Sequence, residues 1–410
     1  MLKTLALFAA LLALAGAVVS DPLLDKRLQK MLERGWPGVA VLVEGADGKV
    51  TMATAGLAAI ETGAPMTRTT GFHMCSINKT FTAIAILRLV DQGKLSLDAR
   101  VTDILDQPVV RAVPNIADIT VAQLLDHSSG IYPTNNDPAY ISTLVGSDAF
   151  TGRVWTPEEM VALATLPANP PTARPGEAHH YSDTNYILLG MIVEHVAGEP
   201  LKQHIARTIL RPLGMDATYF YSDVLEGKRK TPATVASGYI RLTKDLTDAV
   251  TFNPGFKSPR PGWINSSTAA ERVDAAGSLV TTLPDLRKFA SALFRGTLLS
   301  ARSQKFLTAV KDQMAGAELG KHATRTLQGA MTPYGLVLYK EGDGPGGFNT
   351  LMAFHPASGV IFIGFTNEFG SFDEVDTLMT EVMSTPVLAA AGHRIIAAPV
   401  NPLANDDLKQ

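Results

Sequence analysis

The feature that most constrains this chain is an apolar segment that runs from Ile77 to Val90 and is followed by Gly93. From Phe81 onward its residues are hydrophobic at nearly every position, so a helix formed by them has no continuous polar side. A helix that is apolar all round is buried inside a protein rather than laid on its surface. The segment therefore predicts a central buried helix against which the other elements pack.

Two polar side chains stand at the start of this segment. Ser76 and Lys79 are three residues apart, so on a helix both project from one face, one turn apart. A serine hydroxyl becomes a useful nucleophile when a neighbouring base takes its proton, and a desolvated lysine can do so. The start of a helix also favours developing negative charge. The same spacing fits an ordinary helix start with a serine cap and a solvated lysine, so the rest of the chain must decide.

The composition and the first twenty residues indicate an exported globular protein. The chain has 410 residues, 46% of them hydrophobic and 18% charged, and a formal charge of −3, with no basic run for nucleic acid. Residues 1–20 combine a positive start at Lys3, an apolar stretch and small residues at possible cleavage sites. We expect a signal peptide there, a soluble domain over 21–395 without a stable membrane span, and a polar tail over 396–410. The expected location is periplasmic or secreted.

Cysteine and histidine residues offer weaker candidates for chemistry. Cys75 is the one cysteine, so an internal disulfide is excluded. Cys75 could itself be a nucleophile, but no catalytic cysteine signature surrounds it. We therefore expect it to be a small buried residue. His127 is expected to brace a turn rather than act as a base. His179 and His180 lack a third ligand at metal spacing, and we expect them at the mouth of a site, with His180 contacting substrate. No cofactor or metal is predicted.

Secondary-structure patterns divide the chain into strands at both ends and helices between them. Helical periodicity over 23–33 is followed by a strand at 39–43, a turn at Asp47-Gly48 and a returning strand at 49–55. Late strands are predicted at 334–339, 348–354 and 360–366, then a helix at about 373–383. We expect an α/β (α+β) fold: a mostly antiparallel sheet flanked by helices, with an α/β lobe at about 23–75 and 275–390 and an inserted all-helical lobe at about 76–274.

Three motifs in order resemble those of the β-lactamase-related serine hydrolases. They are Ser76-x-x-Lys79, Tyr181-Ser182-Asp183 and the glycine-rich segment at 342–348. This group includes class C β-lactamases, D-alanyl-D-alanine carboxypeptidases, D-aminopeptidases and family VIII esterases. The resemblance covers about residues 23–385, and further local matches lie at 36–40, 124–130, 175–176, 211–215 and 274–278. It implies a β-lactamase/transpeptidase-like fold with the site between the sheet and the helical lobe.

The resemblance also implies roles for the three polar residues. Ser76 would be the acylated nucleophile, and its backbone N–H would form half of the oxyanion hole. Lys79 would help to take its proton. Tyr181 would be the general base, with its pKa lowered by the nearby ammonium group.

Two departures from the family pattern bear on the substrate. Asp183 stands where relatives usually carry asparagine. An ionised Asp183 beside Lys79 would raise the pKa of the lysine and weaken it as a base; we expect Asp183 instead to point away from Lys79 and cap the next helix. The late strand of the family usually carries Lys-Thr-Gly or His-Thr-Gly. Counting back from Phe348 without a gap places Glu341-Gly342-Asp343 there, whereas one extra loop residue places Lys340-Glu341-Gly342. The ungapped register is preferred, and a glutamate in the pocket would disfavour substrates with a carboxylate.

These observations predict an exported serine hydrolase that cleaves an amide or ester bond through an acyl-serine intermediate, of peptidase or esterase type. The expected partner is a small-molecule or peptide substrate and not nucleic acid, and the oligomeric state is open. One alternative is a class C-like β-lactamase or a D-alanyl-D-alanine carboxypeptidase. The other is a non-catalytic, penicillin-binding-like recognition module.

Overall fold

A computed structural model describes most of the chain between the N-terminal segment and the late strands. The described residues are 18–19, 22–151, 153–230, 234–269, 273–309, 321–323, 326–332, 335–370 and 377–379. The predicted signal peptide apart from Val18–Val19, the C-terminal tail and most of the predicted helix at 373–383 lie outside these residues. In the described part, no helix is both long and apolar enough to cross a bilayer.

The described residues form strands in both halves of the chain, concentrated near its two ends. In chain order the strands are β1 (Val18–Val19), β2 (Gly38–Glu44), β3 (Val50–Ala59), β4 (Ala64–Pro65), β5 (Phe72–His73), β6 (Tyr219–Phe220), β7 (Tyr239–Arg241), β8 (Trp263–Asn265), β9 (Leu279–Thr281), β10 (Lys321–Ala323), β11 (Gln328–Thr332), β12 (Gly335–Gly344), β13 (Phe348–His355) and β14 (Val360–Thr366).

The main sheet joins the two ends of the chain. Its order is β1-β3-β2-β14-β13-β12-β11-β10, with β4 against β3, and every pair is antiparallel except β1 with β3. Strands β2 and β14 are buried at every position, because helices cover both faces of the sheet. The predicted antiparallel sheet and the turn at Asp47-Gly48 are confirmed.

Helices, separated by loops and 3-10 turns, make up much of the remaining described chain. They are α1 (Pro22–Glu33), α2 (Asn78–Asp91), α3 (Pro108–Arg111), α4 (Val121–Leu125), α5 (Pro138–Leu144), α6 (Pro157–Leu163), α7 (Asp183–Ala197), α8 (Leu201–Ile205), α9 (Tyr221–Leu225), α10 (Lys244–Ala249), α11 (Leu283–Phe294) and α12 (Ala301–Thr308). A π-helical turn, Ala206–Leu210, continues α8.

The central helix is α2, as predicted from its apolar sequence. It follows a 3-10 turn, Cys75–Ile77, and its first ten residues are all buried. Phe81 stacks on Phe289 of α11 with ring centroids 3.8 Å apart. The polar side chains of the helix are paired: Asn78 Nδ2 donates to Asp274 O and Thr82 Oγ1 to Ala275 O. Hydrogen bonding removes most of the cost of burying these polar groups.

The elements that the sequence patterns did not predict are short strands. The sequence over residues 250–275 has a loop-like composition and no strand pattern, yet the described part of this stretch includes β8, which pairs with β7. A second small sheet has the order β5-β9-β6. Strands of two or three residues show no alternation of hydrophobic and polar positions, so sequence periodicity does not reveal them.

Candidate active site

Ser76 lies in the 3-10 turn that leads into α2, where its hydroxyl contacts two other polar groups. Cys75, immediately before it, has φ of 47°, a left-handed backbone conformation that is costly for a non-glycine residue. Ser76 Oγ lies 2.7 Å from Tyr181 Oη and 3.0 Å from Lys79 Nζ. The three residues given catalytic roles by the resemblance therefore meet at one point.

Lys79 is buried and is held by oxygen atoms on several sides. Its side chain is 1% exposed, and Nζ contacts Ser76 Oγ, Ala276 O at 3.1 Å and Asp183 Oδ1 at 2.8 Å. An ammonium group donates hydrogen bonds and cannot accept one. Because Lys79 donates to Ser76, the serine must direct its own proton elsewhere, and Tyr181 Oη is within reach.

Asp183 does not point away from Lys79, so that expectation is wrong. Ser182 is the residue that precedes α7, and Asp183 is the first residue within the helix. Its backbone N–H donates to Asn135 Oδ1 at 3.2 Å, while its carboxylate, 5% exposed, pairs with Lys79. A buried ammonium is costly without a counter-charge. Asp183 supplies that charge where a neutral asparagine would not.

Two lysines lie beside the ring of Tyr181. Lys79 Nζ lies 5.1 Å and Lys340 Nζ 5.2 Å from the ring centroid, and the residue is 38% exposed. Burial of the hydroxyl raises the pKa of Tyr181 above its usual value, and Asp183 adds to this, outweighing the opposite influence of Lys79. The ammonium does lower the pKa of Tyr181, as expected, but the effect of burial is larger, so the expected net lowering is wrong.

His127 positions the Tyr181 segment rather than acting on substrate. Its ring packs against that of Tyr181 with centroids 4.4 Å apart, and Nδ1 accepts the Ser182 N–H at 3.2 Å. Burial lowers the pKa of His127 well below its usual value, and the positive charges of Lys340 and Lys79 act in the same direction. A neutral, hydrogen-bonded imidazole agrees with the predicted bracing role.

Strand β12 presents Lys340, not Glu341, to the catalytic group. Successive side chains of a strand point to opposite faces. Gly342 packs against the Ser76 turn, so Lys340 shares that face, whereas Glu341 Oε1 accepts a hydrogen bond from Gln328 Nε2 on β11 at 2.7 Å. The preferred ungapped register, with Glu341 in the pocket, is therefore wrong, and the alternative register is correct.

Lys340 is unusual because it is a lysine buried within a strand, with only 4% of the residue exposed. Burial and the nearby Lys79 lower the pKa of Lys340 to about 8.

Gly342 is required by the close approach of β12 to the nucleophile. A Cβ atom at this position would lie 2.4 Å from Met74 O and 2.8 Å from Ser76 N, distances that real side chains do not adopt. Thr350 Oγ1 on β13 lies 2.9 Å from Met74 O and 3.0 Å from Gly342 O. The strand pair and the Ser76 turn are thus held together as one unit, and Gly342 supports the nucleophile rather than lining the cavity.

The edge of β12 beyond Tyr339 faces the same cavity. Pairing with β11 ends at Tyr339, and the Glu341 N–H donates to the Gln328 side chain on that edge. Residues two apart in a strand direct their backbone groups to the same neighbour, so the Asp343 N–H points to this edge as well. Burial and the charge of Glu341 raise the pKa of the Asp343 carboxyl to about 6.

A cavity of about 280 Å³ opens beside Ser76. Tyr181, Asp183 and Asp343 line it near the serine, together with Asn135, and its other walls are mainly apolar. His180 is not among the described residues that line it; its backbone N–H donates to His127 O at 2.9 Å. The expected substrate contact of His180 therefore has no support from its position.

Sequence reasoning gave no role to Asn135. It lies in a 3-10 turn, Thr134–Asn136, and fixes the first residue of α7 through the hydrogen bond to Asp183. No motif or periodicity surrounds it, and its proximity to the site arises only from the tertiary fold.

The comparisons with known proteins agree with this geometry. A model of the beta-lactamase family matches residues 24–382. The chain belongs to the β-lactamase family. This is a family of serine hydrolases, the family that the three motifs predicted.

Relatives in this β-lactamase family carry several activities. A protein named as a D-alanyl-D-alanine carboxypeptidase of Escherichia coli K12 is 29% identical over 254 residues, which cover 57% of this chain and 54% of that protein. Esterase EstB of Burkholderia gladioli is 35% identical over 202 residues, covering 47% of this chain and 50% of EstB. The chain thus spans about half the length of these curated relatives. The solved structure of a D-stereospecific amidohydrolase from Streptomyces sp. matches with a TM-score of 0.71 and 26% identity, covering 87% of this chain and 98% of that one.

Proposed function

We propose that this chain hydrolyses esters or amides through an acyl intermediate on Ser76, as an enzyme of esterase or peptidase type. The observation that carries the proposal is the pair of contacts at Ser76 Oγ, 2.7 Å to Tyr181 Oη and 3.0 Å to Lys79 Nζ. A nucleophile and its base need to lie within hydrogen-bond reach. An esterase and a carboxypeptidase among the relatives agree with this class of reaction.

In the first step Ser76 Oγ attacks the substrate carbonyl carbon. The Tyr181 oxygen accepts the serine proton while the phenolic proton passes to the leaving alcohol or amine. This exchange leaves Tyr181 neutral, which agrees with its raised pKa. The Lys79 ammonium stabilises negative charge on both oxygens during the transfer.

The carbonyl oxygen becomes an oxyanion that needs hydrogen-bond donors. The Ser76 N–H provides one, as the family resemblance implies. The Asp343 N–H, on the edge of β12 facing the cavity, provides the second. Removing one such donor typically costs about 100-fold or more in kcat.

In the second step water hydrolyses the acyl-Ser76 ester. Tyr181 takes a proton from water and returns its own to Ser76 Oγ, which restores the resting state. The acid and base roles reverse between the two steps, as microscopic reversibility requires.

A β-lactamase or D-alanyl-D-alanine carboxypeptidase activity is the second candidate. The observation that favours it is Lys340, a cation on the face of β12 that contacts Tyr181. Asp343 lines the cavity itself and opposes a substrate carboxylate there, whereas the charge of Asp183, also in the lining, is offset by Lys79. The esterase or peptidase reading is therefore preferred.

Covalent labelling tests the proposal and separates it from a non-catalytic recognition module. The protein is treated with a fluorophosphonate and analysed by peptide mass spectrometry, with Ser76→Ala as the matched control. An adduct on Ser76 that is absent from the control supports the proposal. An unlabelled, folded protein that also leaves p-nitrophenyl esters, nitrocefin and D- and L-amino acid peptides intact would refute it.

The location proposed for the enzyme is the periplasm or the medium, on the basis of the signal-like pattern in residues 1–20. Expression of the full chain, followed by fractionation and N-terminal sequencing, tests this. A product in the cytoplasmic fraction that still carries residues 1–20 would contradict it.

A further inference from the structure

The cavity beside Ser76 extends away from the polar groups between two apolar walls. Helix α5 forms one wall with Ile141 and Leu144. Helix α10 and the residues that follow it form the other wall with Leu246, Val250 and Phe252. A pocket with apolar walls and a few polar groups at one end is typical of a binding site for an apolar ligand group.

Backbone hydrogen bonds hold the walls in place. The Asn253 N–H donates to Val145 O at 2.8 Å, and its side chain donates to Ser147 O at 3.0 Å, which ties the second wall to the end of α5. The Phe369 N–H donates to Tyr239 O at 2.9 Å, which fixes β7 against the end of the main sheet. The cavity is therefore formed before any substrate binds.

We propose that this cavity holds an apolar, uncharged acyl group of the substrate; the proposal rests on the acyl-Ser76 chemistry above. The acyl group stays attached to Ser76 through both steps, whereas the leaving group must depart and water must enter. A cavity with two walls suits the acyl group, because the acyl group remains attached to Ser76 through both steps. Because a water-sized group occupies about 30 Å³ in the liquid, 280 Å³ has room for about nine such groups, which is enough for a chain of roughly six to eight carbons with its carbonyl oxygen.

The charged side chains near Ser76 further restrict which acyl groups can bind. Asp183 and Asp343 both line the cavity near Ser76. Lys79 offsets the charge of Asp183, so the like charge that a carboxylate on the acyl chain would meet is the Asp343 carboxylate, which is unfavourable. The substrate class is therefore an ester or amide of a medium-length aliphatic or aromatic acid.

A series of p-nitrophenyl esters from acetate to octanoate tests this. We expect kcat/KM to rise about three- to fourfold for each added methylene group, up to about six carbons. Val250→Phe, which narrows the cavity, should lower kcat/KM for hexanoate about tenfold and leave acetate within about twofold. Val154→Phe is the matched control, because Val154 is 41% exposed and lies outside the cavity lining.

Several outcomes would overturn the proposal. A flat chain-length profile in the unmodified enzyme would do so directly. An equal loss for acetate and hexanoate in Val250→Phe would show that the cavity does not select the acyl group; should that variant fail to fold, Ile141→Phe on the opposite wall decides by the same comparison. If the enzyme hydrolyses the acetate ester but kcat/KM does not change with acyl chain length, only this proposal is overturned. If no adduct forms on Ser76, the proposed function itself is overturned.

Discussion

Lys79 Nζ and Asp183 Oδ1 lie 2.8 Å apart, with side chains 1% and 5% exposed. A buried ion pair is weak support for stability as a whole, but removing one partner leaves the other charge buried without compensation. The pair therefore links the catalytic lysine on α2 to the first residue of α7, and it joins the central helix to the helical part of the chain.

Asp183→Asn should destabilise the protein by about 3 kcal/mol at pH 7, because the buried Lys79 ammonium loses its counter-charge. Urea denaturation at pH 7 measures the loss. Asp223→Asn is the control: Lys202 is 21% exposed and keeps Glu226 at 3.1 Å, so the cost should stay below about 1 kcal/mol.

The strand and helix bounds were predictable where the patterns are long, and the side-chain directions at the site were not. Strand β14 matches the sequence prediction over Val360–Thr366. By contrast, the glycines between 342 and 347 have no side chains that could fix a register. A slip of one residue exchanges the two faces of a strand, which is why the preferred ungapped register wrongly placed Glu341 rather than Lys340 at the site.

The catalytic group shows a similar division. Ser76, Lys79 and Tyr181 are recognisable from their motifs, and the structure brings them together. The direction of Asp183 depends on the burial of Lys79, and the pKa of Tyr181 on a balance between desolvation and charge. Both are properties of the packed site, so neither follows from local sequence.

Gly342→Ala should lower kcat/KM about 100-fold. The new Cβ would lie 2.4 Å from Met74 O and 2.8 Å from Ser76 N, so the backbone at the nucleophile must shift, and small misplacements of reacting groups are costly. Steady-state kinetics with a p-nitrophenyl ester measures the effect, and circular dichroism checks the fold.

The matched control is Gly344→Ala, two residues further along the same strand face. Its Cβ would come no closer than 3.4 Å to the nearest atom, Cys75 Sγ. We expect less than a tenfold loss. Similar losses in the two variants would mean that the strand tolerates no alanine at all, and the specific contact with the Ser76 turn would lose its importance.

Asp343 should make the enzyme discriminate against anionic acyl groups more strongly as the pH rises. Its pKa is raised to about 6, so the carboxyl is largely neutral at pH 5.5 and charged at pH 7.5. The ratio of kcat/KM for the p-nitrophenyl monoester of glutaric acid to that for the valerate ester should fall about fivefold over this range, from a like-charge interaction near 1 kcal/mol.

Asp343→Asn should flatten that pH dependence, because an amide does not titrate there. The neutral valerate ester serves as the internal control, since ionisation of Asp343 changes no charge on it. If the ratio falls equally in the variant, the discrimination comes from another group.

Lys340 should destabilise the folded protein at neutral pH. The pKa of Lys340 in the folded state is about 8, below the usual lysine value of 10.5. The unfolded chain therefore binds more protons between these values, and the free energy of unfolding rises as pH increases from 8 to 10.5. Below pH 8 the buried charge costs up to about 3 kcal/mol.

Lys340→Met removes this cost, so it should raise the free energy of unfolding by up to about 3 kcal/mol at pH 7 and by less than about 1 kcal/mol at pH 10. Urea denaturation at both pH values measures the gain. Lys94→Met is the control, because Lys94 is exposed and its replacement should change stability by about 0.5 kcal/mol or less. A destabilised Lys340→Met variant at pH 7 would show that the lysine is stabilised by its carboxylate neighbours instead.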